Sequence, residues 1–137
     1  ILYNIDKLKE ELMLFPSEES LWQLKGDIKN SAGNLGLHIA ANLKHFIGEA
    51  IGNTGYVRQR DKEFSEKNIQ PEKIIAELDE AKEVVSKVLS SVSNEMLEKE
   101  FPLENFGKGQ SIHIVLIIIT AHLNYHLGQI NYLRRMM

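Results

Sequence analysis

The sequence predicts an all-α protein, a four-helix bundle whose helices are joined by long connections. Three observations predict it. Apolar residues recur at helical spacing in four separated stretches, the Pro and Gly clusters fall between those stretches, and no segment demands a strand. The one β-branched run, "IVLIIIT" at 114–120, continues without a break into "AHLNYHLGQINYLRR", so its length favours a helix.

The first helix covers residues 2–15, where Leu2, Ile5, Leu8, Leu12 and Phe15 form an apolar stripe with charges opposite. Pro16 stops it, and Ser17 opens "SEES" as an N-cap followed by acids, so a short helical piece is expected through Leu21, Trp22 and Leu24. The second main helix runs from about Asn30 to Ile51 on Leu35, Ile39, Leu43, Phe46 and Ile47, with Gly33 and Gly36 weakening its first turn. Gly52, Asn53 and Gly55 end it. "YVRQRDKEFSEKN" reads as an ordered but irregular connection. Pro71 starts the third helix, whose stripe is Ile74, Ile75, Leu78, Ala81, Val85, Val88 and Leu89. A loop is expected over 95–109, and the last helix over 110–135. Two long connections and a short one follow from this reading. Being apolar on nearly all sides, the first half of the last helix lies centrally in the bundle or faces a second copy of the chain.

At 137 residues the chain is expected to form one domain over 1–137 and to bury a substantial core. Its net charge of −3 gives no general pull toward nucleic acid or an anionic membrane. Cysteine is absent, which excludes disulfides, thiolate metal sites and cysteine nucleophiles, so any metal must use His, Asp, Glu or water. No cationic-then-apolar segment opens the sequence, and the apolar run 112–123 is shorter than the roughly 18 residues of a membrane span. A soluble, cytoplasmic protein is the expectation.

The histidines carry the chemistry. His122 and His126 lie four apart, on one helix face about 5–6 Å from each other. Two such imidazoles can aim nitrogens at one zinc-type ion, and the same spacing suits two histidines that simply pack or bond to backbone. His113, nine positions before His122, is half a turn out of phase and faces elsewhere. His38 and His45 are nearly in phase but about 10 Å apart along the axis, so only one can complete a site with the pair. Asn34 and Asn42 flank His38 at four-residue spacing. They could orient an imidazole or a water, or serve as a helix cap and a solvent-facing residue.

Taken together, "SAGNLGLHIAANLKHFI", "VRQRDKEF" and "HLNYHLGQINYL" resemble the DinB/YfiT-like metalloenzyme superfamily, and more closely one of its bacterial branches. The resemblance covers nearly the whole chain. It implies a four-helix bundle, commonly dimeric, with a divalent metal (Zn, Ni or Fe) on His38, His122 and His126. Three imidazoles leave a coordination position open, as catalytic sites do. By resemblance, the activity is a metal-dependent transfer using a low-molecular-weight thiol as substrate. A non-catalytic metal-binding bundle is the alternative. A metal-dependent hydrolase ranks lower, because no carboxylate sits on the ligand helices beside the histidines.

Arg58, Arg60, Asp61 and Glu63 could form ion pairs that fix their loop near the mouth of the site, or an Arg could hold a substrate carboxylate. Tyr125 and Gln129 lie near enough in sequence to His122 and His126 to line a pocket, or to serve as packing residues with wet polar ends.

Overall fold

The computed structural model describes residues 1–137 and is helical throughout apart from turns and one isolated antiparallel bridge, Glu100 with Ser111. Four long helical segments build the bundle: α1 (Leu2–Met13), α2 (Ala32–Leu43) with its continuation, α5 (Pro71–Ser91) and α7 (Ile112–Arg135). Between them lie the short helices α4 (Arg60–Ser65) and α6 (Asn94–Leu97) and 3-10 turns at Glu19–Trp22 and Glu104–Phe106.

Each long helix buries the face its periodicity marks. In α1 these are Ile5, Leu8 and Leu12; in α5, Ile74, Leu78, Ala81, Val85 and Val88; in α7, Ile112, Val115, Ile119, Leu123, Ile130 and Leu133. Burying each of the larger side chains contributes roughly 1.5–3 kcal/mol before entropy is counted. Helix α2 is different, since nearly all of its residues are buried. It packs on α5, α7 and the short α4 at once, and this enclosure on several sides makes it the central rod.

Central position explains its two early glycines. A Cβ at Gly33 would stand 2.7 Å from the Trp22 ring, and one at Gly36 would stand 2.8 Å from Ile74. Neighbours approach the backbone where a side chain would stand, so close packing offsets the lost helix propensity. The cap is Ser31, whose hydroxyl accepts from the Asn34 amide at 3.2 Å.

Three details differ from the sequence expectation. Residues 60–65 form α4 instead of an irregular connection, because a six-residue helix is too short to show a period. All three connections between the long helices are long, the last one closed by Phe101–Gln110 and Ile112–Lys99 backbone bonds that seat Phe101 in the core. Helix α2 also passes through a π-helical stretch, Lys44–Glu49, before its last turn α3 (Ala50–Gly52). There the buried Lys44 bonds Glu77 at 2.6 Å and Glu80 at 2.9 Å across to α5. No helix is long and apolar enough to cross a membrane.

Candidate metal centre

Helices α2 and α7 lie against each other, and that contact brings His38 to the pair on α7. His38 is buried, and His122 and His126 are half-buried. The His126 and His122 Nε2 atoms are 3.0 Å apart, the His38 and His122 Nε2 atoms 3.4 Å, and one ring nitrogen from each residue lies within 4.8 Å of the others.

Hydrogen bonds at the far side of two rings set their tautomers. His38 Nδ1 meets Glu63 Oε2 at 2.8 Å, and His126 Nδ1 meets Gln129 Oε1 at 2.7 Å. An ionised carboxylate and an amide oxygen only accept, so both Nδ1 atoms carry hydrogen and donate. Both Nε2 lone pairs therefore face inward, toward the third imidazole. Ligand nitrogens about 2.0–2.1 Å from one ion, at angles between square and tetrahedral, stand about 2.9–3.4 Å apart. The His126–His122 and His38–His122 separations span that range. The donor set fits a zinc-type divalent ion.

A family model described as a protein of unknown function (DUF1572) matches residues 2–137. The chain belongs to that family. No curated protein and no solved structure matches it.

In this DUF1572 chain the electrostatics keep the two α7 histidines of the group neutral. Burial pushes the His122 pKa down to about 4, and neighbouring His126 and His38 add to the shift. Burial also lowers His126, against the opposing pull of its bond to Gln129. Neutral imidazole is the form that ligates metal.

Glu63 is the residue that sequence reasoning missed as a partner of His38. Burial by itself would raise its pKa, but Arg58 and His38 hydrogen bonds outweigh that and hold the carboxyl at about 2. Arg58 grips it with both arms, Nε to Oε1 at 2.6 Å and Nη2 to Oε2 at 2.8 Å. Of the four charged residues singled out in this segment, only Arg58 and Glu63 pair with each other. Arg60 lies over the Phe64 ring at 5.6 Å, and Phe64 packs beside His38 with ring centroids 5.1 Å apart. Asp61 is exposed and forms no ion pair. Sequence spacing reveals carboxylates only along the ligand helices themselves, whereas Glu63 arrives from α4.

The other candidates of the DUF1572 chain take distinct places. Asn34 makes no hydrogen bond to His38. Its amide donates to the Glu63 and Glu66 carbonyls at 3.0 and 2.9 Å, closing the last turn of α4, and thus holds in place the backbone that carries Glu63. Asn42 is buried rather than solvent-facing and makes no hydrogen bond to His38. His45 stands outside the cluster, half-buried beside Phe46, with Nδ1 enclosed and without a partner. His113 is exposed. Tyr125 and Gln129 line a cavity of about 390 Å³ that His126 also borders, and Gln129 Nε2 donates to the Tyr125 hydroxyl at 3.0 Å.

Proposed function

We propose that the chain is a DinB-like metalloenzyme in a single domain, holding Zn, Ni or Fe on His38, His122 and His126 and acting as a metal-dependent transferase on a low-molecular-weight thiol. The convergence of three Nε2 atoms, two of them with tautomers set from behind, carries this reading. When bound, a divalent ion supplies the Lewis acidity that favours the thiolate form of such a thiol. The protein's own residues do the rest. Glu63 and Gln129 aim imidazoles, Arg58 keeps Glu63 ionised, and the half-buried setting keeps His122 and His126 unprotonated. The cavity bordered by His126 gives a substrate a place beside the cluster and favours an enzyme over a non-catalytic metal binder.

Hydrolysis is less well supported. Glu63 is the carboxylate against the cluster, and both of its oxygens are already engaged by Arg58 and His38, which leaves no free base for an attacking water. The exposed Ile114, Ile117 and Ile118 on α7 support pairing with a second copy, and the cysteine-free composition is compatible with a cytoplasmic location.

Elemental analysis of purified wild type beside His38→Ala and His126→Ala decides the metal assignment. About one equivalent is expected in the wild type and little in either variant. Equal metal content in all three would refute it. A thiol–electrophile conjugation screen on the loaded protein then tests the transferase reading, and inertness toward every pair would leave only metal binding.

A further inference from the structure

The cavity beside His126 has a lining unlike that of the cavity on the other side of α2. One wall is the segment Ile28, Lys29 and Asn30, before α2; the other is the α7 face that includes Tyr132, Leu133 and Met136; buried Leu35 also lines it. None of its ten lining residues is acidic, and Lys29 is the only one with a permanent charge. Lys29 forms no ion pair, in a chain whose net charge is −3. The larger cavity of about 550 Å³ on the other side of α2 makes a contrast. It is lined by Lys44, Lys62 and Lys73 but also by Glu63, Glu66 and Glu77, so its charges balance.

A site with apolar and aromatic walls, one uncompensated ammonium and a few polar groups suits an amphiphilic organic anion. Its apolar body displaces water from Leu35, Leu133 and Met136, while its carboxylate, sulfonate or phosphate meets Lys29. We propose that this cavity binds such an anion, a medium-chain or aryl organic acid, and holds it against His126. The last clause rests on reading the histidine cluster as the reaction centre; the binding itself does not.

Octanoate and 1-octanol are the probes, titrated into the full-length chain as purified, with methyl and aromatic NMR signals as the readout. Octanoate is expected to shift Leu35, Leu133, Met136 and Tyr132 saturably and to bind several-fold more tightly than octanol. Lys29→Gln is expected to weaken octanoate about threefold, the size of one exposed ion pair, and Lys29→Glu to weaken it further, with octanol unchanged in both. Lys29 is exposed on a connection, so neither variant threatens folding. Equal affinity for the two probes, no saturable binding, or shifts confined to Ile114, Ile117 and Ile118 would overturn the proposal. Metal content of the same samples separates the two readings. A metal-free chain that still prefers octanoate keeps the cavity and refutes the metalloenzyme, whereas a metal-loaded chain without the preference refutes the cavity alone.

Discussion

Glu63 shows how one side chain can govern two others. Its carboxylate joins Arg58 to His38, and the proton it requires on His38 Nδ1 is what points the Nε2 lone pair at the cluster. Carboxylates behind ligating histidines typically matter by 10–100-fold in metal affinity. Glu63→Gln keeps an acceptor for His38 but removes the counter-charge of the largely buried Arg58. Metal affinity is expected to fall by about that factor, read by competition with a chelating dye. Stability is expected to fall by on the order of 3 kcal/mol, read from the urea midpoint. Unchanged affinity would show that the His38–Glu63 bond is merely structural.

The same residues set the pH response. His122 titrates at about 4 in the folded chain against an ordinary 6.5, so between those values the unfolded chain binds more protons and stability falls as pH falls. Glu63 is shifted from 4.5 to about 2, so its contribution is present above pH 4.5 and is lost as pH drops toward 2. Metal-free protein should lose stability in these two successive windows, and His122→Asn should flatten the upper one. A urea midpoint constant from pH 6.5 to 4.5 would contradict the burial assigned to His122.

At the scale of elements, glycine separates propensity from packing. Gly33 lies under the Trp22 ring, whereas a Cβ at Gly128 in mid-α7 would meet nothing within 4 Å. Gly128→Ala should therefore stabilise by about 0.5–1 kcal/mol, the ordinary helix preference. Gly33→Ala should destabilise by about 1 kcal/mol net, since overpacking outweighs that preference, and should shift the emission of the only tryptophan in the chain. Thermal melts of the two variants moving in the same direction would refute the close contact. Apolar periodicity made the long helices legible, but α4 and the π-helical stretch of α2 left no such trace. Each is too short for a period, and the π stretch is held by contacts such as Lys44 with Glu77 and Glu80.

At the scale of the molecule, the open question of the amino-acid pattern is what covers the first half of α7. Its inner face, Ile112, Val115 and Ile119, is in the core, while Ile114, Ile117 and Ile118 are 43%, 54% and 37% exposed. Scattered exposed aliphatics are ordinary, but three on one short stretch form a patch that favours association. The proposed homodimer predicts that sedimentation finds two copies in the wild type and one in Ile117→Lys, with the metal content of the variant unchanged. A monomeric wild type at working concentration would sink the dimer.

The amino-acid order by itself determined the four long helices, because an amphipathic stripe needs only local spacing and a core to face. It also determined that His122 and His126 share a surface, because four residues make one helical turn. Which remote groups complete that surface was decided by tertiary structure. The docking of α2 on α7 brings up His38, and Asn34, pinning the carbonyls of α4, helps deliver Glu63 behind it. Periodicity reports which way a side chain faces along its own rod. Only the packing of the rods against one another fixes what it meets there.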